Sequence, residues 1–425
     1  MKQLSILMVL IVTSLCTFAQ NGNAPDALTY LQYDKIRIGG YGEFLYQKMD
    51  YHADQNSSTN GAIAANRGLV DIPRAVFSFE YKFTPSIEFV TEIEFEHLGT
   101  GSALEMEYEE AGEYEKEVEK GGEVMLEQVH ITKTFAPWFR VRAGHMIVPV
   151  GNTNQRHLPH QFFGTVRPES ETAILPSTWH ETGIAILGAY RKWSYQLQVV
   201  SGLTANGFDR KGWIKNGNQK MMETTIMTSP AYVARLESRH IKNLILGASF
   251  YTGNTTKNTL KPEFFKDDEK GNVRITSADF TFNNNKFIAR GNFLYGNLEN
   301  AGKITLVNSG ISSKSQFKRT PVARNAMAWS IEAGVNLFGW GKARPSKLIP
   351  FARYEKFDSM FKTDPGITKD ERCNRTKWSV GVNYFLTPTV GLKMDYAQRS
   401  FGNENLRKEN TFGVAIVYSG WFFSK

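Results

Sequence analysis

Histidine and glutamate side chains lie close enough in one segment to suggest metal chemistry. The segment contains His157-x-x-His160, followed further along by His180-Glu181. Imidazole and carboxylate groups are ordinary zinc ligands. All four residues nevertheless fall in one predicted loop, where no strand holds their geometry. We therefore predict no metal site and no cofactor.

A hydrolytic centre is the other chemistry that this segment suggests. Ser177 and His180 are near neighbours in sequence, and a Ser–His pair is the core of many acyl-transfer sites. Sequence proximity alone does not position such a pair. The chain also has no Gly-rich phosphate loop ahead of a helical pattern. We predict that the chain is not an enzyme and has no catalytic residues.

Most charged residues instead alternate with apolar ones. Residues 87–97 place glutamates on one face and Ile or Phe on the other, and residues 74–83 repeat the pattern. Period-two alternation predicts β-strands. Only Thr84-Pro85-Ser86 separates the two segments, so they form a hairpin.

Sixteen segments have this pattern, and most have about the nine to eleven residues of a tilted strand that crosses a bilayer. The predicted strands are 36–46, 74–83, 87–97, 124–135, 139–147, 182–190, 193–200, 231–238, 244–252, 273–282, 287–296, 327–337, 348–357, 376–385, 390–398 and 411–422. Short connections alternate with long ones, which are 47–73, 98–123, 148–181, 201–230, 253–272, 297–326, 358–375 and 399–410. The fold prediction is an all-β, transmembrane antiparallel β-barrel of about 16 strands, with short periplasmic turns and long extracellular loops.

Composition and the N-terminus agree with an exported barrel. The 425 residues are 41% hydrophobic and 13% aromatic, and the net charge of +8 is too mild to require a nucleic-acid partner. Lys2, the apolar run from Ile6 to Val12 and the small residues of Thr17-Phe18-Ala19 are typical of a signal peptide. We expect cleavage of residues 1–19, which leaves one barrel domain over 20–425 and Cys373 as the lone cysteine.

Barrels of sixteen strands enclose a water-filled channel, so the next feature is what narrows it. The third long loop, 148–181, is rich in aromatic and apolar residues, which favours a loop folded inward against the wall. The alternative is that its charges cover the outer rim. The candidate eyelet residues are Arg156, His157, His160, Arg167, Glu169 and Glu171.

Successive side chains of a strand point to opposite faces, and this parity predicts which charges face the lumen. The main candidates are Arg74, Glu92, Glu94, Glu96, Arg140, Arg142, Arg353 and Glu355. We hypothesise that the glutamate row and the Arg140–Arg142 pair create a field across the channel. The acidic second loop, 105–123, favours a solvated segment over a divalent-cation site, and basic loops such as 257–270 could contact lipopolysaccharide.

Several segments, taken in order, resemble the phosphate-selective porin O and P family of Gram-negative outer membranes. They are Ile38–Phe44, Phe79–Phe83, Glu92–His97, Arg142–Gly151, Phe162–Gly164, Arg167–Glu169, Trp179–Gly183, Asn206–Asp209 and Pro350–Glu355. The resemblance implies a homotrimer of sixteen-stranded barrels, each narrowed by its third loop. It also implies an anion pathway, for which Arg140, Arg142, Arg156 and Arg167 are the candidates, whereas Glu92, Glu94 and Glu96 depart from a purely basic channel.

The sequence therefore predicts an outer-membrane porin for passive diffusion of small hydrophilic solutes. A phosphate- or anion-selective porin is the first alternative, and an outer-membrane hydrolase or a non-conducting adhesin are weaker ones. The predicted partners are outer-membrane lipid and lipopolysaccharide, small hydrophilic or anionic solutes, and two further copies of the chain.

Overall fold

The computed structural model describes most of the chain outside its N-terminus. The described residues are 35–51, 66–97, 105–107, 113–115, 123–222, 224–311, 317–341 and 344–425. The predicted signal peptide, 1–19, and most of the acidic loop 105–123 lie outside them.

Strands dominate the described residues. Their bounds are β1 Ile36–Asp50, β2 Asn66–Asp71, β3 Arg74–Thr84, β4 Ile87–Glu96, β5 Glu105–Glu107, β6 Glu113–Glu115, β7 Glu123–Ala136, β8 Phe139–Ile147, β9 His180–Tyr190, β10 Trp193–Val200, β11 Ala231–Ser238, β12 Leu244–Asn254, β13 Asn272–Asn283, β14 Phe287–Leu298, β15 Asn325–Val335, β16 Lys347–Lys362, β17 Asn374–Phe385, β18 Val390–Phe401 and β19 Glu409–Ser424. The α-helices are α1 Glu169–Thr172 and α2 Ala301–Ser309. Short 3-10 turns lie at Pro159–Gln161, Ala205–Gly207, Lys215–Gly217, Gln219–Met221, Thr256–Asn258, Pro262–Phe264, Leu337–Trp340 and Glu371–Cys373. Among the described residues, no helix has the length and apolar character needed to cross a membrane.

The strands form one closed antiparallel barrel. Each barrel strand pairs with its neighbour in the chain, and β1 pairs with β19 to close the ring, with Tyr41 opposite Ser419. Strands β2 and β3 both pair with β1 and occupy a single position in the wall, interrupted at Ile72-Pro73. Proline lacks the N–H that a continuous ladder needs. With β5 and β6 in a separate ribbon, the barrel has sixteen strand positions, as predicted.

Alternating side chains give the barrel a polar interior and an apolar exterior. In β18, Lys393, Asp395 and Arg399 are buried, whereas Leu392 and Met394 are exposed outward. Burying polar groups toward the lumen and exposing apolar ones outward is the arrangement of a barrel in lipid.

Several strands run further than their alternation predicted, β1 and β16 among them. Strand β1 continues to Asp50 and β16 to Lys362, beyond the predicted ends at 46 and 357. In β16, residues 357–360 are all buried. The period-two signal fades there because both faces of the strand are covered.

The long loops on the β10–β16 side share an apolar core with buried residues of these strands. Trp179 and Ile174 of the third loop pack in one buried cluster with Phe208, Trp213 and Ile304 from other connections. Burial of such large side chains contributes about 1.5–3 kcal/mol each. This packing helps to hold the third loop in place.

Candidate functional site

The third loop, between β8 and β9, contacts widely separated parts of the barrel wall. Arg74 of β3 donates to the His157 carbonyl at 3.3 Å. Lys393 of β18 donates to the Phe162 carbonyl at 2.7 Å. Asn292 of β14 donates to the Glu171 carboxylate at 2.8 Å. Inward-facing side chains of β3, β14 and β18 reach the same loop, so its path crosses the lumen.

The start of this loop is shaped around Glu171. Backbone N–H groups of Asn152, Thr153 and Asn154 donate to its carboxylate at 2.8–3.1 Å. Burial raises the pKa of Glu171 to about 7, even though these donors favour the charged form. Gly151 makes the turn possible, because its φ of +80° is left-handed and a Cβ there would overlap the Glu171 carboxylate.

Glu169 ties the other end of the loop to a basic wall. Its carboxylate lies 2.5 Å from Arg399, 2.9 Å from Lys377 and 3.9 Å from Arg375. Burial alone would raise the pKa of the Glu169 carboxyl, but the three cations outweigh it and lower that pKa. At neutral pH this carboxylate is ionised and compensates much of the charge on β17 and β18.

Between the loop and the β14–β15 wall lies a small recess. Its charged lining groups are Arg156, Arg290 and Glu332, and the polar remainder includes Asn152 and Asn292. Arg156 donates to Glu237 at 3.0 Å and Arg290 to Glu332 at 2.8 Å. Two cations against one carboxylate leave the lining with a formal charge of +1.

The structure distributes the six eyelet candidates along the loop. Arg156 lines the recess, and Glu169 and Glu171 form the contacts given above. His157 packs edge-on against Tyr41, with ring centroids 5.8 Å apart. His160 accepts from or donates to Ser419 at 2.7 Å, and burial lowers its pKa to about 3, with help from Lys393 and Arg290. Arg167 donates to Thr178 at 2.5 Å within the loop. That these residues act as a pore eyelet stays a prediction.

Two of the lumen candidates, both on β16, contact the third loop. Arg353 donates to Glu332 at 2.9 Å and to the Val166 carbonyl at 3.4 Å. Glu355 accepts from the Ser170 N–H at 2.9 Å. On the other side of the barrel, Arg74 pairs with Glu43 at 3.2 Å.

The remaining candidates share one wall, which corrects the hypothesis of a field across the channel. Strands β4, β7 and β8 are adjacent, so the glutamate row and the arginine pair are two strands apart. Arg142 lies opposite Thr132, which lies opposite Glu88 at the turn end of β4, whereas Glu92, Glu94 and Glu96 lie toward the other end. Arg140 is two residue pairs nearer the turn. The two sets are separated mainly along the barrel axis.

Sequence reasoning missed several groups of this site. Arg375, Arg399 and Glu409 lie just beyond the predicted strand ends, where continued parity with Lys377 and Asp395 would have found them. Glu127 is an extra residue in β7, between Leu126, which pairs with Ile93 of β4, and Gln128, which pairs with Glu92. A β-bulge interrupts alternation, so parity could not assign Glu127 to the lumen.

The histidines and glutamate considered above for a metal site do not come together as one group, and neither does the Ser–His pair considered for a hydrolase. His180 Nδ1 contacts His145 Nε2, and Glu181 accepts from Trp179 Nε1 at 2.8 Å. His160 lies against β19, away from both. Ser177 is exposed, and in the described chain it makes no hydrogen bond with His180.

The chain is similar to an uncharacterised protein of Aquifex aeolicus, with 27% identity over 406 residues that cover 95% of this chain and 83% of the relative. No family model matches it. Among solved structures, OmpF of Salmonella typhi in complex with daunomycin matches 91% of this chain and 98% of its own, with a TM-score of 0.54 and 10% identity. The outer-membrane channel DcaP of Acinetobacter baumannii covers 91% of this chain and 97% of its own, with a TM-score of 0.51 and 10% identity. OmpT of Vibrio cholerae lacking loop L8 covers 91% and 100%, with a TM-score of 0.50 and 11% identity. The chain therefore has the closed, sixteen-stranded antiparallel barrel fold that outer-membrane porins share.

Proposed function

We propose that this chain is an outer-membrane porin through which small hydrophilic solutes diffuse passively. The observation that carries the proposal is the third loop, which spans a polar lumen and leaves a recess between itself and the β14–β15 wall. A barrel of sixteen strands is wide enough for a water-filled channel, and a folded loop inside it sets the width. The proposed route needs no catalytic group and no cofactor.

A preference for anions, phosphate among them, is the second candidate. Arg156 and Arg290 line the recess against the single carboxylate of Glu332. A small excess of positive charge in a low-dielectric constriction raises the local concentration of anions. Ion pairs with Glu237 and Glu332 moderate this effect, so we expect a modest preference rather than exclusion of cations.

Conductance in planar lipid bilayers tests both candidates. We expect folded protein to form open channels whose reversal potential in a salt gradient is anion-biased. Arg156→Gln should lower the anion-to-cation permeability ratio by about twofold, because one of the two recess cations is removed. Arg274→Gln is the matched control, since Arg274 pairs with Glu299 at the outer end of β13, away from the recess.

The outcomes separate the functional classes. Folded protein that conducts nothing would contradict the porin proposal and favour an adhesin or an enzyme on the same barrel. Channels with a cation bias that Arg156→Gln leaves unchanged would contradict the anion preference alone.

Assembly and surroundings belong to the same proposal. A homotrimer in outer-membrane lipid is supported by the resemblance to phosphate-selective porins and by the exposed apolar exterior. Contact of the basic loops with lipopolysaccharide is weaker, because Lys257 already pairs with Asp267 and Lys303 with Glu269.

A further inference from the structure

Three potential metal ligands meet where the third loop touches the wall formed by β4 and β7. They are Glu92, Glu127 and His157, and one donor atom from each lies within 4.8 Å of the others. Glu92 is partly buried and the other two are buried. None of them is used by the proposed route along the β14–β15 wall.

The histidine is oriented as a ligand. Its Nδ1 lies 3.1 Å from the Asn154 carbonyl oxygen, which can only accept, so Nδ1 carries the proton and Nε2 presents its lone pair. Metal-ligating histidines commonly donate their other N–H to a backbone carbonyl in this way. Asn154 is itself fixed, because its side-chain amide donates to the Val148 and Trp179 carbonyls.

The carboxylates are held in place as well. Glu92 accepts hydrogen bonds from Gln128 at 2.6 Å and from Ser78 at 3.2 Å. Tyr41 donates to Oε2 of Glu127 at 2.7 Å. These outer contacts are of the kind that orient first ligands around a metal ion.

Glu127 supplies an independent sign that a cation belongs here. Glu127 is 0% exposed, and within the described chain its buried Oε1 makes no hydrogen bond of ordinary length and angle, although the Thr178 side chain lies near the carboxylate. The nearby Glu94 is likewise buried and has an oxygen without such a hydrogen bond. Leaving a buried acceptor unsatisfied destabilises the fold, and a charged acceptor does so more strongly.

Local charge favours a cation over a water molecule. Arg74 pairs with Glu43, donates to the His157 carbonyl and also interacts electrostatically with Glu94 and Glu127. The exposed Lys220 adds a more distant positive charge. Glu92, Glu94 and Glu127 thus outnumber the cations around them.

We propose that Glu92, Glu127 and His157 bind a divalent transition-metal ion, Zn²⁺ being the probe of choice, and that the ion pins the third loop to the β4–β7 wall. Imidazole together with carboxylates suits zinc and its neighbours better than calcium or magnesium, which prefer oxygen ligands alone. Ligands of one zinc ion lie about 2.0–2.2 Å from it, so small rotations of the two glutamates would bring the three donors to that distance, with water as the fourth ligand. The proposal reverses the expectation from sequence of no metal site, and it does not depend on whether the barrel conducts.

Zinc binding to folded, detergent-purified, metal-stripped protein tests the site, by equilibrium dialysis with metal analysis. We expect one Zn²⁺ per chain, with an affinity that falls at least about tenfold in His157→Gln and in Glu127→Gln. His160→Gln is the matched control, because it removes the other histidine of the loop and should leave the affinity unchanged. Co²⁺ should give a visible ligand-field spectrum that His157→Gln abolishes. Heat-modifiable migration in gels checks that each variant is folded.

Two results would overturn the site. One is folded wild-type protein that binds no Zn²⁺ above the buffer level. The other is Zn²⁺ binding that both variants retain, which would assign the ion to other groups, such as the acidic second loop.

Discussion

A buried histidine makes the third loop sensitive to acid at the scale of one residue. His160 lies against Ser419, and burial, with Lys393 and Arg290 adding repulsion, lowers its pKa to about 3. In the unfolded chain this histidine has an ordinary pKa of about 6.5. Between these two pKa values the unfolded chain therefore binds a proton at His160 that the folded chain does not bind. The contribution of this group to stability is complete above pH 6.5 and is lost as the pH falls toward 3.

The corresponding prediction concerns His160→Gln. From pH 6.5 to pH 5 the wild type should lose about 2 kcal/mol that the variant does not lose, at about 1.4 kcal/mol per pH unit. Thermal unfolding in detergent micelles, followed by circular dichroism across this range, measures the difference. His240→Gln, in an exposed turn near Ser238, is the control and should track the wild type. Parallel curves for wild type and His160→Gln would contradict the prediction.

At the residue level, the sequence predicts inward-facing charges but not their partners. Arg353 and Glu355, which parity predicts to face the lumen, are both buried, and both contact the third loop. It could not pair Glu169 with Arg399, since that ion pair joins positions 230 residues apart through the path of a loop. Glu127 was missed because a bulge shifts the register just where it projects inward.

At the scale of the element, the turn into the third loop rests on one glycine. Gly151 has φ +80°, and a Cβ there would overlap the Glu171 carboxylate that collects three backbone N–H donors. Gly366 has φ +86° with nothing within 4 Å of an added Cβ. The two positions share a left-handed backbone conformation and differ in how crowded an added Cβ would be.

We therefore expect Gly366→Ala to cost about 1 kcal/mol, the usual penalty of a left-handed non-glycine residue. Gly151→Ala should cost clearly more and should loosen the loop, because Glu171 must leave its donors. Apparent melting temperature and limited proteolysis within 148–179 measure the two effects. Equal melting temperatures and equal cleavage in the two variants would show that the contact with Glu171 does not hold the loop.

The elements themselves were the most predictable part of the chain. All sixteen predicted segments overlap barrel strands, because most of each strand has one lipid-type face and one lumen face and so keeps a period of two. The loops were less predictable. Their apolar core around Trp179 and Trp213 depends on contacts between distant connections, which no local pattern encodes.

At the scale of the whole molecule, the outward face should behave as a lipid-facing surface. Ile331 lies within β15, is 48% exposed and belongs to the apolar exterior. Leu337, which is 51% exposed, lies in the short turn that follows the same strand. A lysine near the bilayer midplane costs about 2–4 kcal/mol, whereas one near the interface costs about 0–1 kcal/mol.

Ile331→Lys should therefore fold into lipid vesicles about 2 kcal/mol or more less favourably than the wild type, and Leu337→Lys almost as favourably. The measurement is reversible folding from urea into vesicles, followed by tryptophan fluorescence and gel mobility. Both variants have the same added charge and nearly the same starting exposure, so only depth in the bilayer distinguishes them. A soluble barrel has no such depth scale. Equal folding free energies for the two variants would thus contradict the membrane placement of the barrel, and with it the proposed channel.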